Sequence, residues 1–287
     1  MTAGRLTLLH GAFELVLAPE VGGSVARYAH EGRPLFRPTP DGYADVLRAA
    51  CFPLVPYSNR IRDGVFRFGG RDVRIERNNL PQRHPLHGHG WRGAWTVEHA
   101  REAEAVLAFA WPGGDWPWPF RAEQRFQLDG AGLEVALTVE NRGDSPMPAG
   151  LGFHPYFPCP PGTVLDTQVD EVWTVDGDLF PDGRAPAAGR YALRERVIHH
   201  ADLDNGYGGW SGDATIRWPD GQAVRITSPE RFFQVYAPTT EDVLCAEPVS
   251  HANGALNAPE AEQAALGLRV LAPGERLTLN ARFDPLS

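Results

Sequence analysis

The feature that most constrains the fold is an alternation of apolar and polar residues with a period of two. From Phe120 to Leu128 apolar side chains occupy four of the five alternate positions, and the alternation resumes from Leu133 to Val139. Successive side chains of a β-strand point to opposite faces, so this pattern is typical of a strand with one buried face. The intervening residues 129–132 include aspartate and glycine, which favour a turn. A long antiparallel hairpin is therefore predicted here.

Two further segments repeat this pattern. One runs from Ile216 to Ile226 around a turn at 219–222, and the other from Leu266 to Phe283 around a turn at 272–275. The only helical signal is a short stretch at 259–265, where proline lies near a first turn. Together the segments predict an all-β chain, a large antiparallel β-sandwich that forms a single domain over residues 1–287.

The composition agrees with this fold and excludes several functions. The 31 glycines and 26 prolines exceed average usage, as a chain with many turns requires. All 27 basic residues are arginine, so a lysine Schiff base and the lysine of a P-loop are both excluded. The formal net charge is -9 and no run of arginines occurs, which argues against a nucleic acid or an anionic membrane as partner.

Signals for export are missing from the sequence as given. The first residues lack the charged, apolar and small-residue regions of a secretory signal, and no apolar run approaches the ~18 residues of a membrane span. Three cysteines, Cys51, Cys159 and Cys245, are widely separated and form no C-x-x-C motif. A reduced, cytoplasmic location with no membrane association is expected.

Histidines deserve separate consideration because imidazole can act as acid or base near neutral pH. His87 and His89 would share one side of an extended strand, a geometry that could hold a metal, although the glutamate expected shortly afterwards in a cupin-type site is absent. His84 lies just upstream. A metal-dependent enzyme thus remains an alternative, but we expect no metal site and no cofactor.

Two isolated residues also stand out. His154 lies among aromatic residues before a proline, and it is either functional or a core histidine bonded to a carbonyl. Glu247 follows a buried apolar segment, where an unpaired carboxylate would be costly, unless it faces water at a strand end. Local sequence leaves both pairs of alternatives open.

Three other features have simple structural interpretations. The aromatic residues between Trp111 and Phe120 could stack on a sugar, but aromatic side chains in a proline-rich segment more often join the core. The pair His199-His200 with the acidic residues that follow it is typical of a solvated loop. Residues 204–207, Asp-Asn-Gly-Tyr, are typical of a turn.

Six short motifs occur in a consistent order along the chain. They are Asn59-Arg60-Ile61, Leu86-His87-Gly88, Gly152-Phe153-His154-Pro155-Tyr156-Phe157, Leu203-Asp204-Asn205, Gln234-Val235-Tyr236 and Glu247-Pro248. In order and spacing they resemble the aldose 1-epimerase (galactose mutarotase) family, and residues 15–37 are similar to it as well. The resemblance extends from about Leu15 to the C-terminal hairpin.

This resemblance implies a sandwich of the galactose mutarotase type, a supersandwich, and an isomerase that interconverts the α and β anomers of a free monosaccharide without cofactor. It implies Glu247 as general base and His154 as general acid. The sugar-binding residues it implies are Arg60, His87, Asp204 and Gln234, with Asn59 supporting Arg60. His89 stands where some members carry a glycine, so the resemblance gives it no role. Nothing in the sequence predicts the oligomeric state or the preferred aldose.

Two alternatives remain within the same fold. A hexose-phosphate epimerase would need an arginine cluster, for which the candidates are Arg60, Arg62, Arg67, Arg71 and Arg74. Such arginines at alternate strand positions are usually solvated. A non-catalytic sugar-binding module is the second alternative, but binding alone does not require a matched acid and base.

Overall fold

A computed structural model describes residues 4–286. The described chain is built almost entirely of short strands. They are β1 (Leu6–His10), β2 (Phe13–Ala18), β3 (Ser24–His30), β4 (Arg33–Pro34), β5 (Pro53–Leu54), β6 (Val65–Phe68), β7 (Arg71–Arg74), β8 (Thr96–Ala100), β9 (Glu104–Trp111), β10 (Phe120–Leu128), β11 (Leu133–Asn141), β12 (Met147–Ala149), β13 (Gly152–Phe153), β14 (Tyr156–Pro158), β15 (Val164–Thr167), β16 (Glu171–Val175), β17 (Pro181–Pro186), β18 (Arg196–Val197), β19 (Leu203–Gly208), β20 (Asp213–Arg217), β21 (Ala223–Thr227), β22 (Phe232–Ala237), β23 (Val243–Val249), β24 (Arg269–Leu271) and β25 (Arg276–Leu286).

Helices are few and short. The one α-helix among the described residues, α1, spans Glu260–Gln263 and lies within the predicted helical stretch at 259–265. Single turns of 3₁₀-helix occur at Val46–Arg48, Arg62–Gly64, Gly90–Arg92, Gly189–Tyr191 and Ala255–Asn257. In the part of the chain that the structure describes, no helix has the length and apolar character needed to cross a bilayer.

Two large antiparallel sheets dominate the fold. The first has nine strands in the order β18-β15-β20-β21-β25-β11-β10-β9-β8, and the second has eight, in the order β17-β16-β19-β22-β23-β13-β5 with β14 also paired to β23. Smaller sheets comprise β1 to β4, β6 with β7, and β12 with β24. The prediction of an all-β, antiparallel sandwich is confirmed.

One hydrophobic cluster contains side chains from both large sheets. Phe233 and Val235 of β22 belong to it together with Ile216 of β20 and Leu279 of β25, and all four are fully buried. Because side chains alternate along a strand, Gln234 and Tyr236 of β22 point to the other face of the eight-stranded sheet. That face is therefore available for a polar site.

The first two predicted hairpins are confirmed. Strands β10 and β11 pair in register from Phe120 opposite Asn141 to Leu128 opposite Leu133. Strands β20 and β21 pair around the turn at 219–222. The aromatic residues Trp116, Trp118 and Phe120 are buried in the main cluster, which confirms the core interpretation of that segment.

The predicted C-terminal hairpin is wrong. The turn at 272–275 forms, but β24 pairs with β12, whereas β25 pairs with β11 and β21. Both edges of β25 are thus occupied by longer strands, which leaves no edge for β24. As a result Val270, predicted to share the buried face, is 54% exposed.

The predicted turn at 204–207 is also wrong. These residues form the middle of β19, which pairs over its full length with β22. The turn-forming tendency of Asp, Asn and Gly is overridden because β19 lies inside the sheet, between β16 and β22. The preceding pair His199-His200 does lie outside the strands, as expected for a loop.

Candidate active site

A cavity of about 590 Å³ opens on the face of the eight-stranded sheet that Gln234 and Tyr236 line. The seven site residues proposed from the sequence all line it. They are Asn59, Arg60, His87, His154, Asp204, Gln234 and Glu247. A larger cavity of about 1310 Å³ near Arg5 and Tyr43 has no histidine among its lining residues, so the chemistry is better placed in the smaller one.

Strand register brings three of these side chains together. Gln234 of β22 lies opposite Glu247 of β23, and Asp204 of β19 lies opposite Tyr236, two residues along β22 from Gln234. Residues two apart on a strand share a face, so Asp204, Gln234 and Glu247 all project into the cavity. Glu247 is inside β23 rather than at its end, contrary to the water-facing alternative, and is only 2% exposed.

The imidazole of His154 faces this carboxylate. His154 Nε2 lies 3.4 Å from Glu247 Oε1, and both residues are buried. Burial raises the pKa of Glu247 well above its usual value, and the nearby Asp204 charge acts in the same direction. Burial also lowers the pKa of His154 to about 3, with further lowering by the Arg37 and Arg60 charges. Both shifts disfavour the charged forms of the pair.

Aromatic stacking fixes the orientation of His154. Its ring stacks between Phe52, with centroids 4.6 Å apart, and Tyr156, at 4.7 Å. Its backbone N–H donates to the carbonyl of Phe52 at 3.0 Å. Arg37 covers the other side of Tyr156 at 3.8 Å from the ring centroid. The imidazole edge is thereby aimed at Glu247 and the cavity.

A chain of polar contacts forms the opposite wall. Arg60 donates to Asn59 Oδ1 at 3.2 Å and to Asp204 Oδ2 at 3.4 Å, while Gln234 donates to Asp204 Oδ1 at 2.8 Å. Burial raises the pKa of Asp204, although the Arg60 charge opposes the shift. Because guanidinium and amide each hold one carboxylate oxygen, the four groups have defined positions before any ligand binds.

The tautomer of His87 follows from its hydrogen bond. Its Nδ1 atom accepts the backbone N–H of Asn59 at 3.0 Å, so the ring proton is on Nε2. Burial and the neighbouring Arg60 charge keep the pKa of His87 well below its usual value, and the ring is neutral at physiological pH. His87 therefore presents an N–H donor to the cavity.

Another buried histidine supports this wall from behind. His251 Nε2 accepts the backbone N–H of Ser58 at 3.0 Å, while its Nδ1–H donates to the carbonyl of Ala252 at 2.8 Å. The loop that carries Asn59 and Arg60 is thus bonded to the end of the segment that carries Glu247. No sequence motif predicts a role for His251, and the available signal is its position four residues after Glu247.

The predicted shared face of His87 and His89 is wrong. These residues lie in a loop, where His87 has the left-handed φ of 58°, and His89 turns away to bond Asp115 at 2.8 Å. His84 accepts the backbone N–H of Asp63 at 3.0 Å. The three histidines thus have three separate partners because loop backbone, unlike an extended strand, does not keep alternate residues on one side.

The proposed arginine cluster does not form either. Arg62 pairs with Asp176 at 3.0 Å, Arg67 with Asp72 at 3.4 Å, and Arg71 packs over Trp118. The side chains beyond Arg60 in this set, including Arg74, do not line the cavity. Two arginines that the sequence analysis missed, Arg37 and Arg48, do line it.

One set of potential metal ligands includes the two cavity residues His154 and Glu247 and the fully buried Cys245 behind them. Donor atoms of His154, Cys245 and Glu247 all lie within 4.8 Å of one another. However, burial raises the pKa of the Cys245 thiol well above its usual range, and a thiol binds metals only as the thiolate. These residues fit an acid/base pair better than a metal centre.

Comparison with known proteins identifies the family. A model of the family described as Aldose 1-epimerase matches residues 4–284. The chain belongs to the aldose 1-epimerase family. Among its relatives is the uncharacterized protein YphB of Escherichia coli (strain K12), which is 32% identical over 294 residues, covering 95% of each chain. YihR from the same organism is 28% identical over 155 residues, covering 52% of this chain and 46% of YihR.

Solved structures of the aldose 1-epimerase family share the fold over the whole chain. A provisionally assigned aldose 1-epimerase of Escherichia coli K12 superimposes with a TM-score of 0.90 at 28% identity and 99% coverage of both chains. A galactose mutarotase-like protein of Clostridium acetobutylicum has a TM-score of 0.87 at 18% identity, covering 99% of this chain and 95% of its own. The family-level part of the resemblance inferred from the motifs is confirmed.

Proposed function

We propose that this protein is an aldose 1-epimerase that interconverts the α and β anomers of a free aldose. The observation that carries the proposal is the His154–Glu247 pair, 3.4 Å apart in a cavity lined by sugar-compatible donors and acceptors. Mutarotation requires one group to take a proton from one sugar oxygen and another to give a proton to a second. This pair supplies both.

In the proposed reaction Glu247 accepts the proton of the C1 hydroxyl, O1. The C1–O5 bond then breaks, its electron pair moves to the ring oxygen O5, and His154 donates a proton there. The open-chain aldehyde rotates about C1–C2. Ring closure reverses both proton transfers: O5 returns its proton to His154 as it attacks C1, and Glu247 protonates O1. No atom or electron is gained or lost, so no cofactor is needed.

The pKa shifts bear directly on this exchange. During one turnover the pair passes from carboxylate with imidazolium to carboxylic acid with neutral imidazole, and back. For isolated side chains the charged arrangement is favoured by about 2 pKa units. Burial raises the pKa of Glu247 and lowers that of His154 to about 3, which reverses this preference and favours the neutral arrangement. The charged arrangement is therefore the less populated one, and ring opening from it transfers the protons towards the favoured arrangement. Each proton transfer provides general catalysis of about 10²–10⁴-fold.

The remaining residues provide complementary partners for hydroxyl groups. Arg60 and His87 offer N–H donors, and the Asp204 carboxylate accepts. Since Asn59 and Gln234 already hold Arg60 and Asp204 in place, sugar binding need not order these side chains. Preorganisation of this kind lowers the entropic cost of binding.

The decisive experiment is anomer exchange on a panel of free hexoses and pentoses. Exchange spectroscopy by NMR, or polarimetry of fresh α-D-glucose and α-D-galactose, should show acceleration over buffer that scales with enzyme concentration. Calorimetric binding of a sugar without any acceleration would reject the enzyme and favour the sugar-binding module. The same panel would determine the preferred aldose.

A phosphorylated or otherwise anionic hexose is a second candidate substrate. Arg37 and Arg48 line the cavity, and the described residues provide neither with a carboxylate partner. Arg37 is held by bonds to the carbonyls of Leu47 and Ala49. Exchange rates on glucose and glucose 6-phosphate, compared in wild type and Arg48→Gln, would separate the two: a loss confined to the phosphate ester would favour the anionic sugar.

We further propose that residues 1–287 act as one domain in the cytoplasm. A single hydrophobic cluster that includes side chains from Leu8 to Phe283 supports the first part. The three buried cysteines, none of which forms a disulfide, agree with a reducing compartment. Cell fractionation and the cooperativity of thermal unfolding would test these two statements.

A further inference from the structure

A second group of chemistry-bearing side chains lies outside the sugar cavity. His199 Nε2 is 2.9 Å and His200 Nε2 is 3.1 Å from the same oxygen, Oδ1 of Asp242. The pKa of Asp242 is lowered, chiefly by the hydrogen bond from His199, so this carboxylate is charged at neutral pH. Two imidazole nitrogens and one carboxylate oxygen thus converge on one point.

The backbone is shaped to bring the two histidines together. Neighbouring side chains of an extended strand point to opposite sides. His200 instead has a left-handed φ of 53°, a conformation that is uncommon outside glycine but that Asn, Asp and His adopt more often than other residues. The turn stacks the two imidazoles with centroids 3.7 Å apart and an angle of 25° between planes. Both rings therefore present Nε2 in the same direction.

These distances match a known coordination geometry. A tetrahedral zinc site with bonds of about 2.0–2.1 Å separates neighbouring ligand atoms by roughly 3.3 Å. We propose that His199, His200 and Asp242 form a binding site for a divalent transition-metal ion of the zinc type. The ion replaces the two hydrogen bonds to Asp242, and water completes its coordination. Imidazole and carboxylate ligands without thiolate are suited to Zn²⁺, Co²⁺ or Ni²⁺.

The metal site would join the two segments that immediately precede β19 and β23, the strands that carry Asp204 and Glu247. His199 and His200 precede β19, which carries Asp204, and Asp242 directly precedes β23, which carries Glu247. The backbone of Asp242 is already fixed, because its carbonyl accepts the N–H of Cys159 at 2.9 Å. A bound ion therefore crosslinks the two segments without entering the cavity, and it stabilises the folded chain by mass action.

The experiment uses the full chain without a histidine tag, stripped with a chelator and dialysed. Zn²⁺ binding is measured by calorimetry and Co²⁺ binding by visible absorption, in wild type, His200→Asn and Asp242→Asn. Asn tolerates the left-handed backbone at position 200 and removes only the imidazole. The matched control is His10→Asn, since His10 is an exposed histidine on β1. Thermal unfolding of each protein is followed with and without Zn²⁺.

We expect wild type and His10→Asn to bind one equivalent saturably and to unfold at a higher temperature with Zn²⁺. Both site variants should bind at least about tenfold more weakly, because even a lost outer-shell contact costs that much. Equal binding by all four proteins would overturn the proposal, as would the absence of saturable binding. A cobalt–thiolate band that disappears in Cys245→Ser would also overturn it, by placing the ion in the sugar cavity.

Discussion

His251 Nε2 accepts the backbone N–H of Ser58 at 3.0 Å, across 193 residues of sequence. This bond fixes the loop 56–60 against the segment that follows β23. Asn59 and Arg60 come next in that loop, and their side chains begin the polar wall that ends at Gln234. The geometry of the candidate site thus depends on a histidine that does not line it.

The first prediction concerns this support. In His251→Leu the buried N–H of Ser58 loses its acceptor, which should cost about 1–3 kcal/mol in the free energy of unfolding. Because Arg60 is positioned through the same loop, KM for the sugar should rise more than kcat falls. Urea unfolding and initial anomer-exchange rates measure the two effects. If the free energy and KM both stayed at wild-type values, the supporting role would be refuted.

Gly150 provides a second test of the same contact. A Cβ atom added there would lie 1.9 Å from Cδ2 of His251, far inside contact distance. Gly150→Ala should therefore displace the ring and destabilise the protein by roughly 1–3 kcal/mol, the usual cost of overpacking. The matched control is Gly130→Ala, where an added Cβ meets no atom within 4 Å. Equal melting temperatures for the two variants would contradict this account of His251.

Much of the fold could be predicted because its signals are local. Apolar and polar residues alternate over the nine residues of β10 and again along β11. Both the extent of this hairpin and its register follow from that pattern. Strand β24 carries a similar alternation, but its partner is decided by competition for the edges of β25. Such competition depends on the whole sheet and is not visible in a short segment.

In the candidate site, too, some features follow from local sequence and others depend on contacts between distant segments. The apolar surroundings of His154 and Glu247 single them out, but local sequence cannot distinguish a catalytic pair from a core histidine bonded to a carbonyl and a strand-end carboxylate that faces water. Their 3.4 Å separation arises from the pairing of β14 and β13 with β23, which joins residues about ninety positions apart. Arg37 is likewise placed by a contact with a distant residue, Tyr156, and no local motif predicts its position in the site.

The third prediction tests the chemistry directly. Glu247→Gln keeps the shape of the side chain and removes the base, and His154→Ala removes the acid. Each should lower kcat for anomer exchange by about 10²–10⁴-fold while the fold is retained. The control is Tyr236→Phe, a change in the cavity lining that removes no proton-transfer group. Near wild-type kcat in Glu247→Gln or His154→Ala would reject the proposed mechanism.

The fourth prediction concerns stability in acid. Burial lowers the pKa of His251 to about 4. As pH falls, this histidine therefore binds a proton near pH 6.5 in the unfolded chain but only near pH 4 in the folded chain. The contribution of neutral His251 to the free energy of unfolding is complete above pH 6.5. As pH falls towards 4 the free energy of unfolding decreases by about 3 kcal/mol on account of this histidine. His87, also lowered by burial, adds to it. Denaturant unfolding between pH 7.5 and 4.5 should show a shallower decline in His251→Leu than in wild type, and parallel curves would contradict the assignment.

The last prediction is the pH dependence of activity. With ordinary pKa values a glutamate and a histidine would together hold one proton only between about pH 4.5 and 6.5. In this pair burial lowers the pKa of His154 to about 3 and raises that of Glu247, so the pair holds one proton over a wider range of pH, whose upper limit is set by the raised pKa of Glu247. After subtraction of the buffer rate, kcat/KM should be constant from pH 5.5 to 7.5. A decline of about fivefold between pH 6.5 and 7.5 would show that the pair titrates as two unperturbed groups.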